Sequence, residues 1–312
     1  MKHQELKELF QNYLSECEYS KQLRKATIKS YHDVFSTFQK IMPEIILVDD
    51  LYPLVMNLFF QRLKTRKKIV GKNTVRIGVK DSTIRTYYNK LIAFFRWLEN
   101  HQYIPLNFTK QIAKPANPIY EDEQALSSYA VSKIIAAISL HTTDDVFAHK
   151  RDLLIISLFI YTGVRRGELL GLRVQDIHLE NKVLFINGAT SKSKRSRKIP
   201  LHPILLLQLK AYFLERKKRK ITSDALIVSC KQDTALTHYG LKHWVNKYRK
   251  LSGVSFHVHQ ARHTFACSLA KLNADVTTIM KALGHSNLKT TQRYLRSINS
   301  EHSRAYIDQL SF

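Results

Sequence analysis

Acidic residues are scarce in this chain: 25 Asp and Glu stand against 50 Lys and Arg in 312 residues, a net charge of +25. A deficit of that size points to a polyanionic partner, nucleic acid first, rather than to any one fold. Cysteine is scarcer still. Cys17, Cys230 and Cys267 are far apart and form no CxxC pair, which excludes a disulfide framework and reads as thiols buried in a reducing compartment. Long apolar runs are absent: the longest, LLIISLFIY at residues 153–161, is well short of the roughly 20 residues that span a bilayer. The first ten residues, MKHQELKELF, alternate in charge and lack the apolar core of a signal peptide, so an intracellular, cytoplasmic protein without a membrane partner is expected. No glycine-rich phosphate loop suggests ATP chemistry. No cluster of aspartates and glutamates has the character of a two-metal nuclease site.

What is present is mostly helical periodicity. ELKELFQNYLSEC (residues 5–17), ATIKSYHDVFSTFQKIM (26–42), LVMNLFFQRLKTRK (54–67) and STIRTYYNKLIAFFRWLENH (82–101) carry apolar residues at helical spacing. Thr27 and Ser82 stand where N-caps are expected. Residues 62–80 hold eight basic side chains and no acidic one, the pattern of a phosphate-contacting loop. The proline-bearing stretch from 104 to 124 has no helical period and reads as a linker, with the boundary between Pro115 and Glu123. Beyond it, helical patterns are interrupted by KVLFING and SRKIPL, two short runs joined by the basic turn ATSKSKR, which predict a small hairpin. The fold class expected is therefore mainly α: an N-terminal helical bundle over residues 1–115, a linker at 116–124, and a mostly helical domain with a small antiparallel β-sheet over 125–312.

Four short stretches carry chemistry when taken together. YTGVRRGELLGL puts Arg165 just after the helix-ending Gly163, and SKSKRSRKIPL offers Lys192 from a turn. HVHQARHTFA sets His259 and Arg262 three residues apart on one helix face, and LGHSNLKTTQRY brings His285 and Tyr294. His259 and His263 are four apart, but position 260 is glutamine, so the base of a zinc protease motif is missing and no metal is expected. A phosphodiester transition state spreads negative charge over non-bridging oxygens, which fixed guanidinium groups clamp. A tyrosine can attack phosphorus covalently, while a histidine and a lysine move the protons.

In this combination the chain resembles the tyrosine recombinases, the family of the phage integrases and Xer-type resolving recombinases, from about residue 122 to 312. That family's pattern of TGxRxxEL, a hairpin lysine, HxxRH and LGHxxxxTTxxY stands here as Thr162-Gly163-Val164-Arg165-Arg166-Gly167-Glu168-Leu169, Lys192 eight residues before Pro200, His259-Gln260-Ala261-Arg262-His263, and residues 283–294. The resemblance implies Arg165 and Arg262 as ligands of the scissile phosphate, Lys192 as general acid and His259 as an aid to proton transfer. It also implies His285 as a hydrogen-bond partner of the phosphate and Tyr294 as the nucleophile of a 3′-phosphotyrosyl intermediate, without cofactor or metal. Glu168 is expected to buttress the site and His263 to be packed. The N-terminal part would be a SAM-like core-binding domain at the start of a two-domain, Xer-like recombinase, with Arg66, Lys67, Lys68, Lys72, Arg76, Lys194 and Arg195 on DNA. The segment 215–220, ERKKRK, reads either as a further phosphate contact or as a solvated helix end. The implied partners are a duplex recombination site, a homotetramer on two duplexes joined through a Holliday junction, and accessory DNA-bending proteins at the nucleoid. The C-terminal tail would dock in cis or on a neighbour. Two rival functions remain at this point: a type IB topoisomerase and a catalytically silent DNA-binding regulator.

Overall fold

The computed structural model describes residues 4–70, 74–117, 124–141, 145–188, 195–285, 287, 288 and 291, apart from the side chains of Lys68, Val70 and Thr74. The chain divides into two compact units, Met1–Tyr120 and Glu121–Phe312.

The first unit is built on four helices: α1 (Leu6–Ser15, continued by a wider turn through Ser20), α2 (Lys25–Ile41), α3 (Val55–Thr65) and α4 (Asp81–Asn100). Their apolar stripes meet in an aromatic core. Phe10 of α1 stacks on Phe35 of α2 with centroids 3.8 Å apart and meets Phe94 of α4 edge-on at 5.1 Å. Phe38 and Phe59 close the other end. Ile104, Phe108 and Ile112 are buried in the same core, so residues 104–112, expected to begin the linker, pack into the first unit. The expected caps are also displaced. The residues preceding α2 and α4 are Arg24 and Lys80, with no side-chain cap. The first turn of α2 closes on the Arg24 carbonyl, which accepts from Thr27 N–H at 2.7 Å. Asp81 opens α4 with a carboxylate at the positive end of the helix dipole, paired to Lys64 at 3.0 Å.

The basic segment after α3 is not a loop. β1 (Lys67–Val70) and β2 (Thr74–Ile77) pair antiparallel, Lys67 opposite Ile77 and Ile69 opposite Val75. Side chains alternate across a strand, so Lys67, Ile69, Val75 and Ile77 share one face, and Ile69 (73%), Val75 (59%) and Ile77 (67%) are exposed on it. Gly78 closes the hairpin at φ +69°, where a Cβ would stand 2.4 Å from the Lys64 carbonyl oxygen. Not every base in the run faces outward for an anion: Arg62 donates to the Ile41 carbonyl at 2.8 Å and pairs with Glu44 at 2.7 Å.

The second unit is centred on α6 (Val146–Thr162), which packs between α5 (Ser128–His141), α8 (Pro203–Lys218) and α10 (Val258–Lys271). Being apolar almost all round, α6 behaves as a core helix. Its buried Asp152 is satisfied by Tyr248 Oη at 2.6 Å, from α9 (His238–Ser252), and by Arg151 Nε at 2.9 Å. Between the short helix α7 (Arg166–Gly171) and α8 lie β3 (Ile177–His178), β4 (Val183–Ile186) and β5 (Arg197–Pro200) in one antiparallel sheet of order β3-β4-β5; the expected hairpin thus has a third strand. The last named element among the described residues is α11 (Val276–Leu283). Within ERKKRK, Arg216 is no phosphate contact: it is buried and donates to the carbonyls of Ala225 at 2.8 Å and Ser223 at 2.6 Å, and Arg219 pairs with Asp145. These bonds satisfy the carbonyls of the irregular segment after α8. Among the described residues no helix is long and apolar enough to cross a membrane.

Candidate active site

Two left-handed glycines shape the site. Gly163 ends α6 at φ +58°, and a Cβ there would come within 2.3 Å of the Phe265 ring on α10; only glycine lets the chain reverse so close to α10. Arg165 follows in extended backbone and opens α7. Its N–H donates to Glu168 Oε2 at 2.9 Å, and its Nη1 to Glu168 Oε1 at 2.8 Å. Gly284 ends α11 at φ +64°, where a Cβ would stand 2.8 Å from Nη1 of Arg197. That turn accepts Arg165 Nη2 at the Gly284 carbonyl, 3.0 Å away.

Arg262, in the second turn of α10, is 1% exposed. One guanidinium nitrogen donates to the Gly163 carbonyl, and Nη2 donates to the Leu283 carbonyl at 2.7 Å. Nη2 also lies 3.1 Å from His285 Nε2. Arginine can only donate, so Nε2 accepts, the ring proton sits on Nδ1, and Nδ1–H donates to Thr291 Oγ1 at 2.9 Å. The imidazole is therefore neutral. Burial, then the charges of Arg262, Arg165, Arg197 and His259, lower its pKa to about 3. His259 itself is exposed in the first turn of α10, while His263 is buried with its Nε2 3.6 Å from Cys267 Sγ. Glu168, 1% exposed, is the carboxylate of the cluster. Burial alone would raise its pKa, but the bonds and charge of Arg197, and after them those of Arg165, bring it down to about 2.

Neutral His285 makes the second unit acid-sensitive. Its folded pKa lies below the ordinary histidine value near 6.5, so below that value the unfolded chain binds a proton that the folded chain refuses, and stability falls as pH drops from about 6.5 toward 3. Thermal unfolding followed between pH 7 and 5 should give a declining midpoint, with a shallower decline in His285→Gln; equal slopes would remove His285 as the cause.

The structure thus gathers Arg165, Glu168, Arg262 and His285 around the end of α11, with His259 within electrostatic reach. Lys192, Lys194, Lys72 and Tyr294 lie outside the described residues, as does the side chain of Lys68. Lys67, Arg76 and Arg195 are exposed, and Arg66 is half-buried beside the hairpin. Two participants escaped sequence reasoning. Thr291 is fully buried against His285. Arg197, close after the basic turn in the sequence, turns inward onto Glu168 at 2.8 Å. The signal for it was available: Arg197 and Ile199 share one face of β5, and Ile199 is buried.

The model of the phage integrase family matches residues 125–301, more than half of the chain. The tyrosine recombinase XerC of Staphylococcus saprophyticus is 27% identical over 308 residues, covering 97% of both chains. That of Staphylococcus aureus strain USA300 is 26% identical over 305 residues, covering 95% of this chain and 94% of the relative. Among solved structures, the Tn1549 transposon integrase in complex with a circular intermediate DNA superposes with a TM-score of 0.72 at 18% identity, over 97% of this chain and 99% of that one. XerH recombinase bound to its difH substrate superposes with a TM-score of 0.68 at 20% identity, over 93% and 82%. The chain belongs to the phage integrase family and is a tyrosine recombinase, an enzyme of site-specific DNA breakage and rejoining.

Proposed function

We propose that Tyr294 attacks a scissile phosphate held by Arg165 and Arg262. The Tyr294 oxygen forms a bond to phosphorus as the bond to the 5′ oxygen breaks; the strand stays attached through a 3′-phosphotyrosyl link, and the leaving 5′ oxygen takes its proton from Lys192. His259 takes the phenol proton, directly or through water. Attack by a 5′ hydroxyl on the phosphotyrosine reverses these steps, and exchange of strands between two duplexes passes through a Holliday junction. Bond energy is kept in the covalent link, so the chemistry asks for neither nucleotide nor metal.

The observation that carries this reading is the convergence of Arg165 and Arg262, from elements almost a hundred residues apart, on one turn that leads into His285 and Thr291. In that arrangement His285 Nε2 is taken by Arg262, so the ring donates to a phosphate oxygen only after its proton moves to Nε2. The test is a duplex nicked so that the leaving fragment diffuses away: the wild-type chain accumulates a covalent protein–DNA species, and absence of that species overturns the reading.

Residues 1–115 act, on this reading, as the core-binding domain and 125–312 as the catalytic domain, in the cytoplasm at the nucleoid. The two units meet a duplex recombination site as a homotetramer on two duplexes, with accessory DNA-bending proteins where the site requires them; the mass of the complex on its DNA decides the tetramer. Arg66, Lys67, Lys68, Lys72, Arg76, Lys194 and Arg195 contact phosphates. For the hairpin the expected result is specific: Lys67→Ala with Arg76→Ala lowers the slope of log affinity against log salt by about 2. An unchanged slope would take both side chains off the DNA.

A further inference from the structure

Three consecutive carbonyls at the end of α11 accept from three arginines of three different elements. Ala282 takes Arg197 Nε at 2.9 Å, Leu283 takes Arg262 Nη2 at 2.7 Å, and Gly284 takes Arg165 Nη2 at 3.0 Å. The last carbonyls of a helix lack intrahelical donors and form the negative end of its dipole, so cations are well placed there. Arg165 and Arg262 already have roles in phosphate binding. Arg197 has none, and every one of its three nitrogens is engaged inside the cluster: besides Ala282, its Nη1 and Nη2 donate to Glu168 Oε1 at 3.1 Å and Oε2 at 2.8 Å.

The consequence is a shared carboxylate. Each Glu168 oxygen receives one bond from Arg165 and one from Arg197, so a single negative charge is divided between two guanidinium groups. Take Arg197 away, and the buried carboxylate loses two of the four bonds it receives from the two arginines and leans on Arg165; the pair tightens, and the positive charge facing a phosphate is cancelled. Arg197 also heads β5, five residues after Lys192 in the chain. On the far side its Nε holds the α11 turn from which His285 reaches Thr291.

We propose that Arg197 is a positioning residue for strand cleavage and rejoining: it neutralises and clamps Glu168 so that Arg165 keeps its charge for the scissile phosphate, and it anchors the α11 turn that leads to Tyr294. This rests on the reading of Arg165 as a phosphate ligand. Arg197 touches no DNA in this role.

Single-turnover cleavage of the nicked duplex at saturating protein, with DNA affinity and thermal midpoint measured in parallel, tests it. Arg197→Ala should slow covalent-adduct formation about 30-fold or more while DNA affinity stays within about threefold, the pattern of a loss felt in the transition state. Arg197→Lys keeps one charge and should restore about tenfold of that rate. The double variant Glu168→Gln with Arg197→Ala should cleave faster than Arg197→Ala alone, because no unbalanced carboxylate then competes for Arg165. Wild-type cleavage by Arg197→Ala, or a double variant slower by the product of the two single losses, overturns the proposal. So does a rate that tracks the fall in midpoint across all the variants without rescue by lysine, which leaves Arg197 a stabilising residue only. Arg165→Ala on the same duplex separates the two readings: if it cleaves at the wild-type rate, Arg165 is not a phosphate ligand, whatever Arg197 does.

Discussion

A Tyr294→Phe chain should bind its recombination site with wild-type affinity and leave no covalent protein–DNA species on the nicked duplex. The substitution removes one oxygen, and that oxygen is the atom proposed to bond phosphorus; a benzene ring has no lone pair to offer, so the loss is of the step itself and not of a fraction of its rate. On the proposed reading affinity is carried elsewhere, by the basic surface and by Arg165 and Arg262. An adduct formed by this variant would sink Tyr294 as the nucleophile and send the search to another hydroxyl. The described chain approaches this residue through Thr291, fully buried and bonded to the His285 ring at 2.9 Å. The same turn is held by Arg165, Arg197 and Arg262. The groups proposed to bind the phosphate therefore also hold the segment that leads to the nucleophile, which is why Tyr294→Phe should separate binding from chemistry cleanly.

Much of the fold was legible because its helices are long and amphipathic. α2 and α4 carry Phe35, Phe38, Ile84, Leu91 and Phe95 on one face, a period that survives any error at the ends. The ends themselves were misread: Thr27 and Ser82 have the chemistry of caps, yet α2 and α4 start at Lys25 and Asp81, where a backbone turn and a carboxylate satisfy the first turn instead. The β1–β2 hairpin was hidden by its own charge, since Lys67, Lys68 and Arg76 interrupt the β-branched residues that announce a strand. For Arg216 and Arg197, local composition misleads in the same way: a base inside a basic run looks solvated, and only the tertiary fold brings the Ala225 carbonyl to one and Glu168 to the other. The motifs of the site were legible as residue types. Their meeting at three successive carbonyls of α11 was not, because Arg165, Arg197 and Arg262 are dispersed over almost a hundred residues.

Arg262→Ala should cost the enzyme twice, and the two losses can be read apart. In the folded chain the guanidinium is 1% exposed and supplies donors to Gly163, Leu283 and His285. Removing it leaves carbonyls at the ends of α6 and α11 without those donors, next to a cavity the size of a large side chain. The expected destabilisation is about 3–5 kcal/mol, seen as a lower denaturant midpoint. Below that midpoint, where the chain is still folded, cleavage should fall by at least about 100-fold, since the donor proposed to meet developing phosphate charge is gone. Arg262→Lys distinguishes the effects. Lysine keeps the charge but reaches as a single point and cannot span Gly163, Leu283 and a phosphate oxygen together. It should recover part of the stability while the cleavage rate stays within about tenfold of the alanine variant. A lysine variant that cleaves like wild type would mean that Arg262 contributes charge alone, and that the fork geometry joining α6 to α11 has no part in the reaction.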